Sequence, residues 1–462
     1  VYIINDPAQV HAWDQKTIAE QEISSLELME RAAQGFVEAF LRQTGKVAGQ
    51  EIYVVCGPGN NGGDGAVIAR LLEQHHGANC HVFGVWPVAT EPTADLQHNW
   101  QRLGALETGR VHRVTAASEL PLANDRPLLV IDALFGIGLS RPAKGLFAQA
   151  IGWMNDGNQV YSVDVPSGQA INGESLDWVW VNADATFTFQ APKWSMLLRE
   201  TGTAWGRVEV IDIGLSAKPP PRLANNGLET LSRESLKPWT AKRRAFSHKG
   251  SYGHVLVIAG SRGHAGAAVL CAKAAYRAGC GLVTCYVPGA LEPILQTSLL
   301  EAMCKTDPHS DYLTAFPDLE PYDAIALGPG LGQHGDTAAM LTSLFETIGS
   351  KPIVIDADAL NLISQDEQLL SSVPTHSILT PHPGEFRRLV GDWFPGNDYY
   401  DCLRAFAQAR PTDSVVVLKG QYTCVATPDG VLRFNTAFGN PGMATGGSGD
   451  VLTGILAGLL AQ

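Results

Sequence analysis

The residues able to do chemistry gather in glycine-rich clusters that also carry Asn, Asp, His or Lys. The densest in the first half is Gly57-Pro58-Gly59-Asn60-Asn61-Gly62-Gly63-Asp64-Gly65. It holds a formal G-x-G-x-x-G between a strand-like and a helix-like run, where backbone N–H groups at a helix start cradle phosphate. The usual dinucleotide fingerprint also needs an acid ending the second strand. Here residues 81–86 run into Pro87, so a conventional NAD-dehydrogenase site is not supported. A tight turn that needs only glycines is the alternative, but it requires neither the two Asn nor the Asp. Asp132-Ala133-Leu134-Phe135-Gly136-Ile137-Gly138-Leu139-Ser140-Arg141-Pro142 and Asp164-Val165-Pro166-Ser167-Gly168 have the same character. An Asp at a strand's carboxyl end beside glycine turns suits a cation or a hydroxyl, or is simply a solvated turn acid. Oxygens from Asn61, Asp132 and Ser167 together suit a hard cation.

In the second half, Gly439-Asn440-Pro441-Gly442-Met443-Ala444-Thr445-Gly446-Gly447-Ser448-Gly449-Asp450 precedes an apolar helix over 451–460. The N–H groups of such a loop form an anion hole. A carboxylate at its end can take the proton of a hydroxyl attacking a phosphate; a flexible glycine loop is the alternative. No G-x-x-x-x-G-K-[ST] occurs, so no Walker-type site is expected. Further polar loops are His248-Lys249-Gly250, Ala259-Gly260-Ser261-Arg262-Gly263-His264-Ala265-Gly266, Leu327-Gly328-Pro329-Gly330-Leu331-Gly332 and Thr380-Pro381-His382-Pro383-Gly384-Glu385-Phe386. His382 is open to a structural hydrogen bond or a ligand contact. Lys419-Gly420-Gln421-Tyr422-Thr423 follows an apolar run, so Lys419 stands at a strand end where phosphates would be, unless this is an exposed hairpin. Asp356-Ala357-Asp358-Ala359-Leu360-Asn361 either binds magnesium through water or N-caps the next helix.

The elements around these loops read as α/β. Short β-branched runs at 52–56, 128–131 and 160–163 lead into the glycine and acid clusters, as buried parallel strands do. Ser24-x-x-Glu27 is a capping box opening a helical stripe of Met29, Ala32, Ala33, Phe36, Val37, Phe40 and Leu41, ended by Gly45. Val208 to Gly214 closes the first half. Lys218-Pro219-Pro220-Pro221 and the basic Lys242-Arg243-Arg244 then break the pattern, placing a boundary near 216–225. Strands are expected again at 254–259, 282–287, 324–327, 353–355 and 415–418, with a hairpin at 423–434 through Thr427-Pro428-Asp429-Gly430. Both halves are expected to hold parallel sheets, with ligands beyond the strands' carboxyl ends.

At 462 residues, two to four domains of roughly 100–200 residues are allowed. With 45% hydrophobic and 17% charged residues the chain is globular rather than disordered. A net charge of −13 argues against general nucleic-acid binding, and no apolar run reaches the roughly 18 residues of a membrane span. The start at Val1 shows no signal-peptide pattern and is expected to be trimmed. Eight cysteines without C-x-x-C, mostly in apolar runs, suggest reduced, cytoplasmic thiols rather than disulfides or zinc.

N-N-G-G-D-G, D-A-L-F-G-I-G and V-D-V-P-S-G together resemble the epimerase domain of the NAD(P)H-hydrate repair family. D-A-D-A-L-N, T-P-H-P-G-E and G-G-S-G-D resemble its ribokinase-like dehydratase domain. The resemblance implies a Rossmann-like epimerase domain over 1–218 and a ribokinase-like dehydratase domain over 225–462. The first interconverts the R and S forms of hydrated NADH and NADPH; the second phosphorylates the C6 hydroxyl of the S form, and loss of phosphate restores NAD(P)H. By likeness, potassium is held by Asn61, Asp132 and Ser167. Substrate lies along Asn60, Asn61, Gly62, Gly63 and Asp64, along Gly136, Ile137, Gly138, Leu139, Ser140, Arg141 and Pro142, and at Asp164, the acid/base residue unless the reaction proceeds by ring opening near the ion. Ala265, Gly330, His382 and Asp450 contact hydrate in the second domain, with Asp450 as base. Lys419, Gly420, Gln421, Tyr422, Thr423 and Gly449 hold the nucleotide, with magnesium. ADP is favoured over ATP because the fused order looks bacterial. A homo-oligomer is expected. The family continues past the point corresponding to Gln462, so a truncated C-terminus and an incomplete nucleotide pocket are expected too. Two other readings remain: a small-molecule kinase with a stable phosphorylated product, and a non-enzymatic binding platform, against which the retained polar loop residues count.

Overall fold

The computed structural model describes residues 2–106, 110–121, 127–237, 243–392, 396–411 and 413–462. Lys242 of the basic patch lies outside them. The chain divides into two compact units that meet at Asn226 and Gly227.

The first unit is built on seven parallel strands: β1 (Glu51–Cys56), β2 (Asn79–Val85), β3 (Val111–Val114), β4 (Leu129–Ala133), β5 (Gln159–Val163), β6 (Ala185–Phe189) and β7 (Arg207–Ile211). Their order is β3-β2-β1-β4-β5-β6-β7. The order reverses between β1 and β4, so the loops leaving these two strands diverge and open a crevice. Those are the loops that carry Asn60–Asp64 and Asp132–Pro142. Helix α1 (Pro7–Gln21) and helix α2 (Ser25–Thr44) precede the sheet. The α2 capping box forms: Glu27 N–H donates to Ser24 Oγ at 3.2 Å and Ser24 N–H to Glu27 Oε2 at 2.7 Å. Its apolar stripe packs on the sheet through Phe36 against Phe187 and Phe40 against Tyr161, with ring centroids 5.1 and 5.0 Å apart. Leu41 is only partly buried. Helix α3 (Asn60–His76) follows β1, and α4 (Ala94–Gly104) follows β2. The proline-rich stretch after β7 is packed rather than bare: Leu223 is fully buried and Asn226 Nδ2 donates to Ile3 O at 2.8 Å.

The second unit holds a ten-stranded sheet. Its strands are β8 (Leu228–Thr230), β9 (His254–Ile258), β10 (Leu282–Pro288), β11 (Met303–Asp307), β12 (Ala324–Leu327), β13 (Ile353–Ile355), β14 (Ser377–Leu379), β15 (Val415–Leu418), β16 (Cys424–Ala426) and β17 (Leu432–Phe434). The order is β11-β10-β9-β12-β13-β14-β15-β16-β17-β8. From β11 to β15 all neighbours are parallel, and the reversal falls between β9 and β12. The hairpin β16–β17 is antiparallel, closed by Gly430 N–H to Thr427 O at 2.9 Å, so this sheet is mixed rather than wholly parallel. Helix α5 (Ala265–Ala278) and helix α6 (Ser448–Leu460) cross one face side by side. Gly454 and Gly458 permit this, because a Cβ on Gly454 would stand 2.0 Å from Cys271 O and one on Gly458 2.7 Å from Ala275 O. Val255, Val257, Val283, Cys285 and Ala457 lie in the core beneath.

Candidate functional sites at the carboxyl edges of the two sheets

In the first unit β1, β4 and β5 deliver their loops to one cavity of about 1090 Å³. Its lining includes Asn60, Asn61, Asp64, the run from Gly136 to Pro142, and Asp164. Gly62 and Gly63 do not line it. They lie in the first turn of α3; a Cβ on Gly62 would stand 2.0 Å from Gly57 O and one on Gly63 2.8 Å from the Met29 thioether, so they allow close approach of the helix to the β1 loop and to α2. Gly57 in turn lets the β1 and β4 loops touch: a Cβ there would stand 1.8 Å from Leu134 O.

Asp132 and Ser167 lie just beneath the cavity, both fully buried. Asp132 Oδ1 accepts from Ser167 Oγ at 2.5 Å and Leu134 N–H at 3.2 Å; Oδ2 accepts from Ser162 Oγ at 2.8 Å and Ser167 N–H at 2.9 Å. Burial pushes the Asp132 carboxyl up, against the pull of these donors. Ser167 Oγ is also 3.1 Å from Phe135 O. Asn61 is nearly buried beside Gly136, and among the described residues its Nδ2 has no hydrogen-bond partner. Its carboxamide is therefore not spent on holding the fold.

Asp164 closes the site from β5, with φ of 63°, the left-handed region. Oδ1 accepts from Lys193 Nζ at 2.7 Å, Phe189 N–H at 2.9 Å and Thr188 Oγ1 at 3.1 Å. Lys193 is 1% exposed, and its Nζ also donates to Phe189 O at 2.8 Å, Thr188 Oγ1 at 2.9 Å and Ala191 O at 3.2 Å. Three further acids, Asp14, Asp64 and Asp95, line the cavity. Burial, then the charges of Asp164, Asp14 and Asp95, drive the Asp64 carboxyl far up. Burial, then the charge of Asp164, push Asp14 up to about 7, with Lys193 pulling the other way. Sequence reasoning missed Lys193 and Asp14. A lone lysine inside Ala191-Pro192-Lys193-Trp194 was a usable signal, since a charge in an apolar stretch needs a partner. Asp14 carried none, because only the packing of α1 brings it to the cavity.

In the second unit the polar loops line up along one edge in the spatial order β9, β12, β13, β14, β15. The first two are tied together: Ser261 Oγ donates to Gly330 O at 2.9 Å, and a Cβ on Gly330 would meet His264 and Ala267 at 2.9 Å. Ala265 begins α5 beside them. Beyond β13, Asp356 is 1% exposed and stands at the start of a short helix (Ala357–Ile363), yet its side chain makes no capping bond. Instead Oδ1 takes Lys419 Nζ at 2.7 Å and Oδ2 takes Thr453 Oγ1 at 2.7 Å. Asp356 therefore holds the N-cap position without the side-chain capping bond the sequence suggested, and each of its oxygens accepts one hydrogen bond. Beyond β14, His382 Nδ1 accepts from Gly384 N–H at 2.9 Å and Glu385 N–H at 3.2 Å, capping the helix Pro383–Val390. The structural bond is thus the one made, while the ring stays 51% exposed. Lys419, from β15, also lies 3.7 Å from buried Glu385. A Cβ on Gly449 would be 3.5 Å from Lys419 Nζ and from Asp356 Oδ2, so the start of α6 sits against this ion pair. No side chain caps α6, which leaves its first N–H groups for an anion. Asp450 in its first turn is half-buried; burial and the charge of Asp356 raise its carboxyl, Lys419 opposing. Gly420 and Gln421 are exposed, Tyr422 is half-buried, and Thr423 Oγ1 donates to Gly420 O at 3.3 Å.

Comparison with known proteins agrees with this division. Residues 25–195 match the family described as YjeF-related protein N-terminus, and residues 255–462 match NAD(P)H-hydrate dehydratase. The bifunctional NAD(P)H-hydrate repair enzyme of Moorella thermoacetica is 37% identical over 98% of this chain and 87% of its own. That of Salinibacter ruber is 34% identical over 98% and 86%. Among solved structures, the ADP/ATP-dependent NAD(P)H-hydrate dehydratase of Bacillus subtilis is 31% identical, covering 51% of this chain and 82% of its own with a TM-score of 0.41. Identity at this level along nearly the whole length places both sets of loops in one lineage: the chain belongs to the bifunctional NAD(P)H-hydrate repair enzyme family.

Proposed function

We propose that residues 1–218 epimerise hydrated NADH and NADPH, and that residues 225–462 dehydrate the S form with ADP, or less readily ATP, giving AMP or ADP and phosphate. The observation that carries this reading is the placement of Lys419, Gly449 and Asp450 together at the sheet's carboxyl edge. A half-buried cation, a helix start with free N–H groups and a half-buried carboxyl are what phosphoryl transfer to a hydroxyl requires. Asp450 takes the proton of the C6 hydroxyl, while Lys419 and the N–H groups at Gly449 receive the charge on the transferring phosphate. Gly420, Gln421, Tyr422 and Thr423 border the nucleotide, and Ala265, Gly330 and His382 border the hydrate. Magnesium would travel with the nucleotide's phosphates.

In the first unit the substrate fills the cavity against Asn60, Asn61, Asp64, the run from Gly136 to Pro142, and Asp164. The oxygens of Asp132, Ser167 and Phe135, with the uncommitted carboxamide of Asn61, fit a monovalent cation such as potassium. That ion would supply a fixed positive charge next to the hydrate. Asp164, oriented by Lys193, exchanges a proton with the substrate hydroxyl. Among the described residues no helix is long and apolar enough to cross a membrane. Free cysteines throughout support a reducing cytoplasmic setting, and we extend the proposal to a homo-oligomer.

The test mixes the protein with both isomers of hydrated NADPH, potassium and magnesium, with ADP or ATP in separate tubes, and follows restored NADPH by absorbance. Recovery of both isomers faster than they interconvert unaided supports both activities and identifies the donor. Recovery halting near half leaves the first unit without its proposed role. A stable phosphorylated product turns the reading to a small-molecule kinase.

A further inference from the structure

We infer that Asp14 is a proton-transfer residue of the epimerase cavity, working opposite Asp164; the inference rests on the epimerase reading of the first unit. Its position is fixed by neighbours on α1. Trp13 Nε1 donates to Ser216 O at 2.8 Å, and Thr17 Oγ1 accepts from Ser216 N–H at 2.9 Å. These bonds hold one side of the helix, and Asp14 stands at the cavity wall. Among the described residues no donor holds its carboxyl, whereas Asp164 is tied by three.

The charges around it are unbalanced. Asp14 shares the cavity with Asp64 from α3, Asp95 from α4, Asp164 from the β5 loop and His11 from its own helix. Arg141 and Lys144 come from the exposed β4 loop, and buried Lys193 is bonded to Asp164. Clustered carboxyl groups in a partly dry cavity do not all ionise together. Among the described residues neither Asp14 nor Asp64 has a donor on its carboxyl, and both are displaced upward; Asp14 stands beside the Asp164–Lys193 pair and is the one displaced only to about 7, where it can give its proton up near neutrality. Asp164 as the tied carboxylate and Asp14 as an untied acid on the same cavity make an acceptor and a donor.

The step balances with no further reactant. The C6 hydroxyl gives its proton to Asp164 and its O–H pair forms C6=O. The C6–N1 bond breaks, and its pair takes the proton of Asp14 as a new N–H bond. Rotation about C5–C6 presents the other aldehyde face. Reversal of both transfers closes the ring with opposite configuration and returns both protons.

The experiment starts from R-enriched hydrated NADPH without nucleotide and follows the R-to-S conversion by chromatography from pH 5 to 9. Asp14→Asn should lower kcat about 100-fold or more, the scale of a lost general acid, with KM changed less than about threefold. The limb of the pH profile near neutrality should vanish, and Asp14→Glu should restore part of the rate. Dehydration of the pure S form with ADP or ATP should be unchanged, and the tryptophan fluorescence, to which Trp13, Trp86, Trp100, Trp153, Trp194 and Trp205 of the first unit contribute, should match the parent's, which shows that unit is folded. A kcat within about threefold of the parent, or a lower kcat on an unaltered pH profile, overturns the inference. A parent protein that leaves the isomers at their spontaneous rate overturns the epimerase reading and Asp14's role with it.

Discussion

Replacing Lys193 with Met keeps the volume of a fully buried side chain and deletes its charge. The Nζ makes bonds of 2.7 Å to Asp164, 2.8 Å to Phe189 O and 2.9 Å to Thr188. Breaking a buried ion pair from one side costs about 3–5 kcal/mol, because the remaining charge is left uncompensated. Asp164 keeps Phe189 N–H and Thr188 Oγ1, so the lower end, about 3 kcal/mol, applies here. With a urea slope of about 2–3 kcal/mol/M, the midpoint should fall by about 1–1.5 M. Tryptophan fluorescence reads this unit well, since Trp13, Trp86, Trp100, Trp153, Trp194 and Trp205 all belong to it. Asp164→Asn keeps the left-handed backbone, which Asn tolerates, and removes the stranded charge. Added to Lys193→Met, it should recover about 1.5 kcal/mol or more. A loss below about 1 kcal/mol for Lys193→Met, or strictly additive single costs in the double variant, would refute the view that this pair is one buried unit.

Asp14→Asn should act on stability with a definite sign. The folded carboxyl is raised from 3.8 to about 7, so the folded state holds its proton more tightly. That contribution is present at low pH and is lost as pH rises through this window. The variant should therefore be more stable than the parent at pH 8, by about 2 kcal/mol after allowance for partial exposure, and equal to it near pH 4, as compared by thermal melting. Gly454→Val places a Cβ about 2.0 Å from Cys271 O and should cost about 2–3 kcal/mol. It should also slow dehydration while leaving R-to-S conversion intact, because it displaces the helix that carries Asp450. Asp450→Asn should cut the dehydration rate about 100- to 10,000-fold with ADP affinity, measured by calorimetry, within about threefold. Lys419→Met should instead weaken ADP binding at least about tenfold.

Local sequence already carried the strands with strong β-branched runs, the α2 capping box, the hairpin at Thr427 to Gly430, and the glycine loops that border the sites. These features are local: a capping box, a period or a glycine turn is written in neighbouring residues. It missed β3, β8, β11 and β14, which are edge strands or only three residues long, and β6, where alternating Thr and Phe hid a strand buried on both faces. The packed fold brings the loops after β1, β4 and β5 to one cavity, since that depends on strand order, which no single segment encodes. It alone paired Lys193 with Asp164 and Lys419 with Asp356, residues 29 and 63 positions apart. It alone brought Asp14 to the cavity. The cost of burying a charge is settled by whatever the fold places beside it, and that neighbour is set by packing rather than by sequence distance.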